Sequence, residues 1–480
     1  MKNWKIAALS AALAISFVGG TPQVRGQSNW SGASSSDYFT AGNWSDGSLP
    51  ATNANVVVAS GATTVVNPLI YNGDNSATPT GTINIGAGGS QEAHFTMQSG
   101  TLVTGGPIRL GDSGNPVARW TQNGGTVTIN ATDSSGGFRI SNASNSYAEF
   151  VMNDGLLDIP NDSGRFAVTT TNGSKAKLTI AGGEIRAGQV LLGDVTNNPN
   201  GQLEITMTGG AVRGRERLNL GRSQSSSPVP NSNMVINMSG GVMETGFAAT
   251  GSEPVGYGTV RLLGGLTNLS GGVIRGLDFS SRNWGKIDFQ GGVLEILTDL
   301  DEENVNGVTN RGYTRMYFVA RYTDEQLGGS GLSTTARLIT SLPDHFVAIA
   351  LQVNDNSLPY PQSLDAARAF ATLKGDVDND LFVAGGDLLQ WQREFGKQYL
   401  SEPDVVTGVA DPQPFLGGDA DGDADADADD LAKWASNFGR RAGSSVVAAG
   451  AVPEPTTAGL VLLVGVLAAA GRTRPEPGRA

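Results

Sequence analysis

The chain has 480 residues, 67 of them glycine, with no cysteine, two histidines and a formal net charge of −13 at pH 7. Without cysteine there are no disulfides, no thiol catalysis and no cysteine-ligated metals, and a zinc site would lean on carboxylates. Eleven aspartates in two short stretches carry the acidity, since −13 + 11 leaves −2 for the rest, so no nucleic-acid-binding surface is expected.

At the N-terminus, Lys2 and Lys5 precede an apolar run from Ile6 to Val18 and then Gly19 and Gly20. A basic start, a short apolar stretch and small residues predict a secretory signal peptide over 1–27; the alternative is a buried helix. Residues 28–79 contain Trp30 and Trp44. They read as a β cap whose tryptophans close an open end. A carbohydrate-stacking role for the pair is the alternative.

From 80 to 297 one pattern recurs: an alternating apolar strand, a glycine turn, and a new apolar run. It reads "FTMQSGTLV" from Phe95, "FVMNDGLLDI" from Phe150 and "IDFQGGVLEI" from Ile287. The second turn residue is Gly100, Gly125, Gly155, Gly183, Gly210, Gly241, Gly272 and Gly292, at steps of 25, 30, 28, 27, 31, 31 and 20 residues. Further short strands such as "IRLGD" at Ile108 and "VLLGD" at Val190 fall between the turns. Two or three strands per 20–31 residues fit one coil of a right-handed parallel β-helix, whose inner face is buried only when the next coil stacks on it. A β-sandwich or a propeller is the alternative, although a propeller blade needs about 40 residues. The pattern resembles the passenger-type repeats of bacterial autotransporters. From 298 to 372 the repeat is lost; "HFVAIALQV" still reads as a strand, and the section is expected to be a C-terminal cap or a small β domain.

The aspartate stretches follow, within 373–440. Counting from Asp376, positions 1, 3, 5 and 12 are Asp376, Asp378, Asp380 and Asp387. Counting from Asp419, positions 1, 3, 5, 7, 9 and 12 are Asp419, Asp421, Asp423, Asp425, Asp427 and Asp430. Alternate positions of a curled loop deliver several oxygens to one hard cation, and a carboxylate at position 12 closes the shell, so these ten residues are candidate ligands for two calcium ions. Leu388, Trp391, Phe395 and Gly396 follow the first loop; Leu431, Trp434, Phe438 and Gly439 follow the second. That register predicts a helix after each loop, stopped by glycine. A solvated acidic linker is the alternative. The stretch resembles a dockerin, a duplicated loop–helix module related to EF-hands. The resemblance implies calcium in both loops and, in cellulosomal relatives, a cohesin partner. Leu381 and Ala424 stand at position 6, where glycine is usual.

Residues 441–480 form the tail. An apolar run over 458–470 is bounded by Arg472 and Arg474, and Val452, Pro453, Glu454 and Pro455 precede it. The run is short for a transmembrane helix, which needs about 20 residues. The order of parts resembles the PEP-CTERM sorting signal. It implies recognition by an exosortase-type enzyme and delivery to the cell surface or matrix, with the arginines on the cytoplasmic side.

Together these readings predict a mainly β exported protein of structural or adhesive type, touching the membrane only through its signal peptide and tail. A cohesin-like, surface-polymer or polysaccharide partner is expected. The alternative is a carbohydrate-active β-helix protein, a lyase, hydrolase or glycan-binding module. Asp154, Asp158, Glu184 and Arg186 are its candidate residues, but they read as solvated outward side chains, and no catalytic constellation is assigned.

Overall fold

The structure is a computed structural model. It describes residues 26–58, 69–87, 92–113, 117–131, 136–140, 143–169, 173–194, 201–221, 234–246, 259–263, 265–281, 285–298, 337–352, 365–378, 380–396, 418–420 and 426–442. The apolar runs of the expected signal peptide and transmembrane segment, and the sorting motif from Val452 to Arg474, lie outside them. Among the described residues no helix is long and apolar enough to cross a membrane.

Each coil supplies up to three short strands, and each strand pairs in parallel with its equivalent one coil on. One ladder runs through Glu92–Met97, Val117–Gln122, Tyr147–Met152, Lys175–Ile180 and Gln202–Met207. A second runs through Thr101–Thr104, Thr126–Ile129, Leu156–Asp158 and the first halves of Glu184–Asp194 and Ala211–Leu220. A third takes Ile83–Ala87, Ile108–Ser113, Gly137–Ile140, Arg165–Thr169 and the second halves of those two long strands. The result is a parallel β-solenoid of about seven turns. A sandwich or propeller would need antiparallel sheets, so both are excluded.

The alternation seen in the sequence puts one face of every strand inside. Phe95, Trp120, Phe150, Leu178, Ile205 and Ile236 occupy one register column and are all fully buried. Phe95 and Trp120 stack with centroids 4.2 Å apart, and Phe138 meets both Trp120 and Phe150 edge-on. Burying such a side chain is worth about 1.5–3 kcal/mol, and here the neighbouring coil supplies the burial. The glycine turns let coils approach at the corner. Seven of the eight have φ between 70° and 93°. At Gly155 an added Cβ would lie 2.5 Å from the Gly125 carbonyl oxygen, one coil below. Gly292 differs: the left-handed residue at that corner is its neighbour Gly291, at φ 154°.

Both ends are closed. At the N-terminal end Trp30 and Trp44 meet edge-on at 5.2 Å, Tyr38 bridges Trp44 and Tyr71, and the Trp44 indole donates to the Tyr38 carbonyl at 2.9 Å. Trp30 and Trp44 are 2% and 3% exposed, so they cap the core and offer no face for a sugar. At the other end the pairing changes sense. Asp365–Leu373 lies antiparallel to Val293–Thr298 on one side and to His345–Gln352 on the other. Of the described part of 298–372, Arg337–Ile339 still lies parallel to Lys286–Phe289 and extends the first ladder, and only the two strands after it run antiparallel. Two helices follow, α1 (Gly385–Glu394) and α2 (Ala428–Asn437).

Candidate metal centre

The first aspartate loop starts three residues after the strand ending at Leu373. Asp376, Asp378 and Asp380 each point one carboxylate oxygen into a common space, with the three oxygens within 4.8 Å of one another. The backbone curls to make this possible. The Asp380 and Leu381 N–H groups donate to Asp376 Oδ1 and Oδ2 at 3.1 and 3.0 Å, and the Phe382 N–H donates to Asp380 at 2.8 Å. The curl requires a left-handed residue at position 6, and Leu381 takes it, at φ 69°. From the solenoid side, the buried Thr372 hydroxyl donates to Asp376.

Asp387, at position 12, is fully buried and turned to the backbone. It accepts from the Val377 N–H (2.6 Å), the Asp378 N–H (3.1 Å) and the Ala384 N–H (2.6 Å). It therefore caps α1 and pins the start of the loop, as an acidic side chain in a helix's first turn is suited to do. Asp430 does the same for the second unit, accepting from the Ala420 and Asp427 N–H groups at 2.6 Å each, while Asp427 caps α2 through the Asp429 N–H. Asp419 is nearly buried. Asp421, Asp423 and Asp425 lie outside the described residues.

The two units contact each other reciprocally. The Trp391 indole donates to the Asp427 carbonyl at 2.8 Å, and the Trp434 indole to the Ala384 carbonyl at 2.7 Å; both carbonyls belong to position 9 of the opposite loop. Gly396 and Gly439 likewise donate to Ala426 and Val383, both at position 8. The repeated tryptophan and glycine are thus spent on joining the units. Phe395 and Phe438 fall just past the helix ends and are more than half exposed, each packing on its own tryptophan at about 5 Å, unlike the buried helical face their spacing suggests.

The electrostatics favour a cation. Burial, opposed by the Thr372 hydroxyl and then reinforced by the charges of Asp387 and Asp380, pushes the Asp376 carboxyl up to about 6. Asp378 is raised by desolvation and by the same two neighbours. No positive charge figures among the causes of either shift, and hard oxygens at this spacing suit a hard divalent cation. Asp376, Asp378 and Asp380 would hold such an ion.

The solenoid candidates are placed differently from expectation. Asp154 is exposed. Asp158, Glu184 and Arg186 are partly buried and lie together on the second ladder, where Asp158 stands in register with Arg186. Glu184 pairs with Arg186 at 2.6 Å and with Arg213 at 2.8 Å. Desolvation raises the Asp158 carboxyl, against the pull of Arg186 and Arg215. Arg215, unremarked in the sequence, is nearly buried; it reaches Asp162 at 3.0 Å and the Ile159 carbonyl at 2.9 Å, across two coils. Nothing in the local pattern marks Arg215 or Thr372, because their partners are set by coil stacking. Comparison with protein-family models, with curated proteins and with solved structures finds no match to this chain.

Proposed function

We propose that the chain is an exported structural or adhesive protein of the cell surface or extracellular matrix. The β-solenoid serves as a rod, the paired loop–helix units as a calcium-stabilised dockerin-like module, and the tail as a PEP-CTERM signal read by an exosortase-type enzyme. One observation carries the reading: the loop–helix pair is built directly onto the strand that closes the solenoid, with Asp376 bonded to Thr372 of that strand. A rod with an ion-dependent end suits spacing and attachment, and the partner would be a cohesin-like protein or a surface polymer. Millimolar extracellular calcium suits weak sites of this kind. The test is calorimetric titration of the full chain with calcium, alongside fractionation of cells producing it with and without residues 452–480. Two ions per chain, and loss of normal surface delivery on truncation, are expected. The reading fails if calcium uptake is not saturable or if truncation changes nothing.

A second reading has its own observation. Asp158, Glu184, Arg186 and Arg213 put carboxylates and guanidinium groups side by side on adjacent coils, with the Asp158 carboxyl raised by desolvation, the kind of grouping carbohydrate chemistry uses. A panel of polysaccharides assayed for cleavage separates the two readings. Cleavage that vanishes in Asp158→Asn would favour it.

A further inference from the structure

The solenoid ends on a strand poorly suited to stay there by apolar burial. Asp365–Leu373 reads "DAARAFATL", with four alanines among nine residues. Alanine buries little area and is a weak strand former. Yet this strand must cover the last coil and carry the loop–helix pair. Its interior charge, Arg368, stands in register with Glu295, and Glu295 with Arg275 of the previous coil. The Glu295 carboxylate is shared. One oxygen accepts from Arg368 Nε at 2.7 Å, and the other accepts from Arg275 Nε. Glu295 is 3% exposed. The row continues inward, because Arg275 also lies 3.5 Å from Glu244, and Glu244 is 2.6 Å from Arg213. Like charges in register repel, and at Arg186 and Arg213 the bridging Glu184 offsets this.

We propose that Glu295 is a two-armed clasp that ties the antiparallel cap, and the loop–helix pair beyond it, to the last solenoid coil, so that cap and pair open as one unit when the clasp is released. The junction beyond the strand supports a single unit: Thr372 holds Asp376, the Lys374 N–H donates to the Asp344 carbonyl at 2.8 Å, and Arg440 lies 3.5 Å from the Asp344 carboxylate. The clasp is independent of any cation in the loops.

The test is hydrogen exchange by mass spectrometry on the full chain, comparing wild type, Glu295→Gln and Arg368→Gln in chelator. Removing one partner of a buried, doubly paired carboxylate is expected to speed exchange across 345–352, 365–373 and 385–394 together by about tenfold or more. Exchange in 92–97 and 147–152 should stay at the wild-type rate. Arg368→Gln cuts only the outer arm, so it should free the same segments while leaving 273–276 protected; it also decides the matter if Glu295→Gln does not fold. Exchange of the cap within about twofold of wild type in both variants would overturn the clasp. So would equal acceleration in every coil, or a cap that opens while α1 stays protected.

Discussion

Acidification of the cation-free protein should stabilise the first aspartate loop. Asp376 is fully buried and its carboxyl is pushed up to about 6, against an ordinary value of 3.8. A raised carboxyl means that the folded loop binds the proton more tightly than the unfolded chain does. Its contribution is therefore fully present below about 3.8 and is lost as pH rises through about 6. The full span is about 3 kcal/mol at 1.36 kcal/mol per pH unit, and the part between pH 7 and pH 5 is about 1.3 kcal/mol. The assay is hydrogen exchange of peptides covering 376–394 in chelator, corrected for the intrinsic pH dependence of exchange. Protection at pH 5 should exceed that at pH 7 by roughly tenfold. Asp376→Asn should keep only the smaller slope left by Asp378, which is raised in the same direction. With saturating calcium the slope should reverse, because the proton and the ion compete for the same oxygens. Protection that is flat or falling from pH 7 to pH 5 in chelator, or an unchanged slope in Asp376→Asn, would refute the account of buried, mutually repelling carboxylates.

Three further outcomes are expected. Leu381→Gly should raise the stability of the loop by about 1 kcal/mol, because Leu381 holds a left-handed backbone and its side chain is 41% exposed, leaving little packing to lose; urea unfolding checks it. Asp378→Asn or Asp380→Asn should weaken calcium binding at the first loop more than about tenfold in calorimetry, since affinity follows the number of charged ligands, while the second loop keeps its ion. Phe150→Ala should cost about 3–5 kcal/mol in unfolding free energy, because Phe150 is fully buried among Phe138 and Phe166 and the coils above and below cannot collapse onto the void; a shift in the thermal or urea midpoint measures it.

Much of the solenoid was legible because its cause is local and repeated. Period-two alternation sets which side chains enter the core, and a glycine at each corner marks where the chain turns; both survive in any one coil, such as "FVMNDGLLDI". The two helices were legible for the same reason, since the tryptophan–glycine register that follows each aspartate stretch repeats in two units. What escaped the sequence depends on partners far along the chain. Glu295 meets Arg368 across 73 residues, and Arg215 meets Ile159 across 56. Position 12 also has a role its spacing does not show: three backbone N–H groups converge on Asp387, so it holds the helix start and the loop entry.

That last role bears on how the loop would respond to an ion. In the first unit Asp387 fixes the loop entry and the helix start through backbone hydrogen bonds, and the clustered carboxylates at positions 1, 3 and 5 repel one another. A cation then removes a repulsion within a loop that is already shaped and does not have to order a disordered chain. Binding to a shaped loop loses less conformational entropy, and the gain in stability follows from mass action on the folded state alone. In circular dichroism this predicts a calcium-dependent rise in melting temperature with little change in helicity at 25 °C. A large helical gain on calcium addition would show instead that the helices wait for the ion, and that the caps at Asp387 and Asp430 are too weak to hold them.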